Sequence, residues 1–158
     1  GLASMVATMS RGKKAYLAYE AQLSQAIARL AVLREELKAA IDADAESYNT
    51  VMKAYKAAKA APDGARLINS ALEEATGVPL VVAERAAEVA RLAVELKPVT
   101  NPNMASDLTT AIALAKASLA GALANVEINT DSIKAELEAE KEFVRSTRAR
   151  AEALRAQV

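Results

Sequence analysis

In a chain of 158 residues, strong turn-forming sequences occur at three places only: Pro62-Asp63-Gly64, Gly77-Val78-Pro79 and the stretch from Pro98 to Pro102. Proline lacks the N–H that a continuing helix needs, and glycine tolerates the backbone angles of turns, so such clusters mark where helices stop. Their scarcity elsewhere leaves long uninterrupted segments. Those segments are filled by Ala, Leu, Glu, Lys and Arg, which lose little freedom on becoming helical; hydrophobic residues make up 53% of the chain but aromatics only 3%, so the material of a pleated sheet is largely missing. The expectation is an all-α fold of one domain, residues 1–158, built as a bundle of long amphipathic helices around a buried helix near 103–128, with a core of Leu, Val, Ile and closely approaching Ala.

Periodicity places the elements. A first helical pattern runs to about Arg11, where Gly12 can end it, and a second begins near Tyr16 and continues through Ala61. Its apolar stripe is Leu23, Ile27, Leu30, Leu37, Ile41, Tyr48, Val51 and Tyr55. One short helix is expected from Gly64 to Thr76, and another starting with Pro79 in its first turn and reaching Leu96. The segment from Asn103 to about Ile128 has only Asp107, Lys116 and Glu127 as interior charges, so little of its surface is suited to water. Thr130-Asp131-Ser132 reads as the cap of a last helix, whose narrow stripe of Ile133, Leu137, Phe143 or Val144, and Leu154 suits packing along the bundle or against a second copy.

Twenty basic residues balance twenty acidic ones, so no net field draws the chain to nucleic acid or to an anionic membrane. Charged residues interrupt the apolar stretches, no signal peptide is visible, and a cytoplasmic location is expected. Gly1 already lies inside a helical pattern, so a preceding segment is expected too. Cys and His are absent, which removes thiolate nucleophiles, the usual metal ligands and the usual base at neutral pH; no metal site is expected. Chemistry, if any, falls to carboxylates, amines, hydroxyls and amides.

Asp44 breaks the apolar stripe of the long helix: Leu37 lies seven residues before it, Ile41 three before and Tyr48 four after. A carboxyl desolvated there would hold its proton more tightly and suit proton transfer, or it would be a buried group satisfied by a helix end or a basic residue. Asp42 projects with Glu35, Lys38, Glu46 and Asn49, a solvated face on which Lys38 and Asp42 can pair. In the buried segment, Asp107, Ser118 and Asn125 share one face while Leu108, Ile112, Leu119 and Val126 hold the other; Ser118 bonding to its own helix and Asn125 bridging helices would explain that line equally. Asn101, Asn103, Ser106 and Asp107 gather at a helix start, where free N–H groups favour a polar ligand edge, although N-capping by Asn103 accounts for part of the cluster. Arg11, Lys13 and Lys14 beside Gly12 can neutralise a helix end or hold a carboxylate. Tyr16, Tyr19, Tyr48 and Tyr55 are expected in the core or at an interface, with one free to stack on a flat heterocycle.

Six segments taken together resemble a known family. They are Gly1-Leu2-Ala3-Ser4-Met5-Val6 with Arg11-Gly12-Lys13-Lys14-Ala15-Tyr16, Asp42-Ala43-Asp44-Ala45-Glu46-Ser47-Tyr48, Gly77-Val78-Pro79-Leu80, Asn103-Met104-Ala105-Ser106-Asp107, and Asn125-Val126-Glu127-Ile128-Asn129. Their order and spacing are similar to those of the formiminotransferase-cyclodeaminase C-terminal domain and the related methenyltetrahydrofolate cyclohydrolases. The resemblance implies an all-helical domain that forms a homodimer, binds a reduced folate carrying one or more glutamates, and works in some members beside a formiminotransferase. It implies cyclisation of 5-formiminotetrahydrofolate to methenyltetrahydrofolate with loss of ammonia, or else the cyclohydrolase interconversion of methenyl- and formyltetrahydrofolate. The folate is substrate, and no further cofactor is implied. Carried over by motif, Asp44 is the acid/base, and Lys13, Lys14, Asp42, Asn103, Ser106, Asp107, Asn125 and Asn129 line the folate site, Lys13 or Lys14 meeting a folate carboxylate. A glycine-rich stretch ahead of the first helix would touch the ligand as well. From a different class, a non-catalytic helical scaffold remains compatible with the composition.

Overall fold

A computed structural model describes residues 1–157. Among them the ordered elements are helical: α1 Leu2–Ser10, α2 Glu20–Ala58, α3 Gly64–Leu96, α4 Ala105–Ser132 and α5 Glu138–Arg155, with short 3-10 turns at Lys14–Tyr19, Lys97–Val99 and Pro102–Met104. The all-α bundle expected from composition is what forms. Helix α3 is its spine: α2 and α4 both pack on it, α1 lies across α2 and α4, and α5 closes the far end against α3 and α4.

Two apolar clusters hold the helices. One joins Val6, Leu23, Leu30, Leu33, Leu96 and Leu108, and the other joins Leu80, Leu119, Leu123, Val126 and Leu154. Alanines fill the space between the leucines in both, which lets helix backbones approach closely.

Gly12 ends α1 as the glycine pattern requires, with φ at +73°. Its N–H donates to Glu20 Oε2 at 2.9 Å, and Arg11 pairs with the same carboxylate, so a carboxylate from the next helix rather than free cations settles this corner. Ser10 is buried, donates to the Val6 carbonyl at 2.9 Å and accepts from the Asn101 N–H at 3.0 Å, tying the end of α1 to the start of the α4 region. At the α2–α3 corner, a Cβ on Gly64 would stand 2.4 Å from the Ala58 carbonyl oxygen, so only glycine lets the two helix ends approach.

Three boundaries differ from the sequence reading. Helix α3 does not break at Gly77-Val78-Pro79 but runs through Pro79 to Leu96. An interior proline costs about 3 kcal/mol. Here Leu72, Ala75 and Thr76 before it and Leu80, Ala83 and Ala87 after it are all buried, so the packing of one continuous face outweighs that cost. Second, α2 starts at Glu20 after a 3-10 turn, and only Leu23, Ala26, Leu30 and Leu33 of it are buried; Ile41, Tyr48, Met52 and Tyr55 are exposed, although α3 runs beside α2 down to the Gly64 corner. Of the tyrosines, Tyr16 alone packs against a core.

Third, Thr130-Asp131-Ser132 is the end of α4 rather than the cap of α5. Asn69 on α3 intervenes: its side chain donates to the Lys134 carbonyl (2.9 Å) and accepts from the Lys134 N–H (3.1 Å), which pins the chain in an extended path. Glu140 then starts α5 by accepting from the Glu136 and Leu137 N–H groups at 2.9 and 3.0 Å and from Asn69 Nδ2 at 3.0 Å. These bonds, the Asn69 one foremost, hold the Glu140 carboxyl below the usual carboxylate range. A depressed native pKa means the contribution is complete above the ordinary range and is lost as the pH falls through the native value. Glu73, raised by burial and by the charge of Glu140, runs the other way. Urea unfolding followed between neutral and acid pH should therefore show a steeper acid loss of stability in the wild type than in Glu140→Gln; equal slopes would remove Glu140 from the account.

The expected buried helix is only half buried. Helix α4 covers Leu108, Ala111, Ala115, Leu119, Leu123 and Val126 against its neighbours, while Leu114 and Ile128 are 62% and 61% exposed. With Pro102–Met104 it is also long and apolar enough, by length and composition, to cross a membrane, contrary to the expectation that charges interrupt every such stretch; only Lys116 stands between Asp107 and Glu127. Glu127 itself is ion-paired with Arg155 of α5, which accounts for a charge inside the Asn-Val-Glu-Ile-Asn segment.

Candidate functional site

Because α2 and α4 both lie on α3 and barely touch each other, a trough opens between them. Its two halves, each about 550 Å³, share Leu37, Ile41 and Ser118 and so form one continuous groove. That is a volume suited to small-molecule ligands. One half is lined by Gly1, Leu2, Leu37, Val89 and Leu114, with Arg34 and Lys38 at its edge. In the other, Asp44 faces Asn125 and Gly121 of α4 across a floor made by Val78, Pro79 and Val82 of α3. Val78 and Pro79 of the segment that reads as a turn are thus part of the floor beside the candidate carboxyl. Proline has no N–H to leave unpaired there, and its ring is an apolar surface.

An ion network fixes α2 to α3. Arg29 makes two bonds to Glu88, at 2.6 and 2.7 Å, and also reaches Glu36, which in turn pairs with Arg85. The bidentate bond to Arg29 holds the Glu88 carboxyl low, and Glu88 holds the Arg29 guanidinium firmly charged. The wall that carries Asp44 is therefore anchored on a rigid partner.

The structure sorts the sequence-derived residues into two groups. Asp44 and Asn125 share the trough, with Ser118 between its halves; Asn125 donates to the Gly121 carbonyl of its own helix at 3.1 Å and does not bridge helices. Asn129 lies one turn beyond Asn125. Lys13, Lys14, Asn103 and Ser106 are exposed, Asp107 is half-buried, and all five gather where α1 ends and α4 begins. From Asp107 to Asn125 the helix rises about 27 Å at 1.5 Å per residue, so the two groups do not form one compact site. Asn101, not Asn103, supplies the cap there, accepting the Asn103 N–H at 3.1 Å. Asp42 is exposed and outside the trough, and Lys38 pairs with Glu35 at 2.9 Å instead of with Asp42.

Asp44 also departs from expectation in its burial. Apolar side chains flank it, yet it is exposed, because the opposite wall stands away from α2. Arg34, Lys38, Val78 and Pro79 are trough residues that periodicity did not single out. The available signal was cations at 34 and 38 flanking the apolar positions 37 and 41, a pattern that also describes an ordinary solvated face.

Among known protein families, the one described as Formiminotransferase-cyclodeaminase matches residues 1–153. The chain belongs to this family. It is 36% identical over 141 residues to methenyltetrahydrofolate cyclohydrolase of Methylorubrum extorquens, matching with 84% of its own length and 65% of the relative's. It is 30% identical to formimidoyltransferase-cyclodeaminase of Sus scrofa, with 84% of this chain and 25% of that protein covered. The chain thus spans about two-thirds of the first relative and a quarter of the second. The crystal structure of formiminotetrahydrofolate cyclodeaminase from Thermotoga maritima superposes with a TM-score of 0.78 at 30% identity, covering 99% of this chain and 77% of that one. Family membership and fold therefore agree with the resemblance carried by the six segments.

Proposed function

We propose that the chain is a folate one-carbon enzyme, a formimidoyltetrahydrofolate cyclodeaminase, with Asp44 as its acid/base residue. The observation that supports this reading most directly is the trough itself: one carboxyl at its edge, uncharged polar groups Asn125 and Ser118 facing it, and apolar surface for a flat ring between. Ring closure needs N10 to attack the formimino carbon and the departing nitrogen to leave as ammonia. With the formimino group entering as its protonated amidinium, Asp44 would take the proton from N10 and return it to the departing nitrogen, which leaves as ammonia with no redox change. Exposed in the free protein, its carboxyl loses water only when a heterocycle covers it, so the ligand supplies the missing wall.

The 36% identity to a cyclohydrolase favours a second reading, in which the same carboxyl activates water against methenyltetrahydrofolate. One absorbance assay separates the two. A cyclodeaminase produces the methenyltetrahydrofolate band from 5-formiminotetrahydrofolate, and a cyclohydrolase consumes that band with no formimino substrate. Protein that does neither sinks both readings and leaves a helical scaffold.

The exposed strip of α4 formed by Ala113, Ala117, Ala120 and Ala124, with Ile128 beside it, supports pairing with a second copy. Sedimentation should give a dimer whose dissociation constant rises at least about tenfold in Ala117→Glu, since the new charge would be buried unpaired. A monomer in the wild type would discard the pairing.

A further inference from the structure

The trough end away from Asp44 carries two cations for which the proton chemistry has no use. Arg34 and Lys38 stand one turn apart on α2 and are the only charged side chains lining that half among the described residues. A single carboxylate bridges them: Glu35 accepts from Arg34 Nε at 3.1 Å through Oε1 and from Lys38 Nζ at 2.9 Å through Oε2. These bonds, the one to Lys38 foremost, also hold the Glu35 carboxyl below its usual range. Two cations on one carboxylate leave a positive charge at the mouth. Along α2, Asp44 lies about 9 Å beyond Lys38 and about 15 Å beyond Arg34. Between them stretch Leu37, Ile41, Leu114 and Ala115, an apolar run without a charge.

We propose that Arg34 and Lys38 are the carboxylate-binding pair of this trough, and that Glu35 occupies them as an internal carboxylate until a ligand carboxylate displaces it. The proposal rests on the folate reading above. The ligand it describes has a reactive centre at Asp44, an aromatic ring on the apolar floor and, one amide further, a carboxylate. A guanidinium and an ammonium one helical turn apart can take the two oxygens of one carboxylate separately, which is what they do with Glu35. Displacement exchanges like for like, so this pair sets selectivity for carboxylate-bearing ligands and a salt-dependent encounter more than raw affinity. It also removes the role from Lys13 and Lys14, which line neither half of the trough.

The test is calorimetric titration of the full chain with 5-formyltetrahydrofolate, and with a tetrahydropterin lacking the aminobenzoylglutamate arm. Arg34→Gln/Lys38→Gln should weaken binding of the first about tenfold, leave the second unchanged and flatten the salt dependence, while Glu35→Gln tightens the first. The charge-keeping Arg34→Lys/Lys38→Arg should recover most of the affinity, which separates charge from folding. Wild-type affinity in Arg34→Gln/Lys38→Gln, or equal losses for both ligands, overturns the carboxylate assignment while the folate reading stands. No binding or turnover of reduced folates by the wild type overturns both.

Discussion

Asp44→Asn should fold as the wild type does and lose about 10²- to 10⁴-fold in kcat, the usual contribution of a positioned acid/base group. The substitution keeps size and shape at an exposed position, so no cavity opens and no buried partner is orphaned. Only the ability to accept and return a proton disappears. Substrate still meets Asn125, Ser118 and the apolar floor, so KM should move far less than kcat. Stopped-flow measurement of methenyltetrahydrofolate formation checks this, with the melting temperature as the folding control. Unchanged turnover would strip Asp44 of its role. A loss confined to KM would make it a binding residue only. The same substitution in Asp42, exposed and outside the trough, is the natural comparison.

Leu123→Ala should lower stability by about 3–5 kcal/mol, in the upper part of the range for buried leucines. Leu123 is 1% exposed and sits in the cluster that joins α3, α4 and α5. The same cluster contains Ala83, Ala86, Ala87, Ala122 and Ala151. Alanines have no rotamers with which to fill a hole, and their positions are fixed by helix backbones, so the cavity would stay open. Urea unfolding gives the number directly. A loss near 1 kcal/mol would mean that the helices close over the gap and that the cluster is softer than its alanine content implies.

Cavity formation at Leu123 would also reach the trough, because the adjacent Ala122 lines the half that holds Asp44. Fold and site are therefore not separable in this chain: the spine that buries the leucines is the floor on which the ligand is proposed to lie. Pro79 illustrates the coupling, since it is simultaneously an interior helix residue, a buried core residue and part of that floor. A local rule broken inside a regular element is where a functional surface is expected.

The helical class, the stop at Gly12 and the corner at Pro62-Asp63-Gly64 were legible in the order of residues, because propensity and turn chemistry are local properties; the 3.6-residue period put Asp44 in an apolar stripe, but not that Ile41, Asp44 and Tyr48 are all exposed. The six family segments were legible in the same way, as residues in order along a chain. Packing in three dimensions was needed to establish that α3 passes through Pro79, that Asn69 and Glu140 delay α5 to residue 138, that α4 leaves one apolar face open, and that the candidate residues divide between two ends of the bundle. Each of these depends on a group from a distant segment: a long buried face outweighing one broken helix bond, a side chain 65 residues away capturing a backbone, or two helices sharing a partner while barely touching each other. Periodicity names the face a residue occupies, but whether another helix covers that face is settled by packing alone.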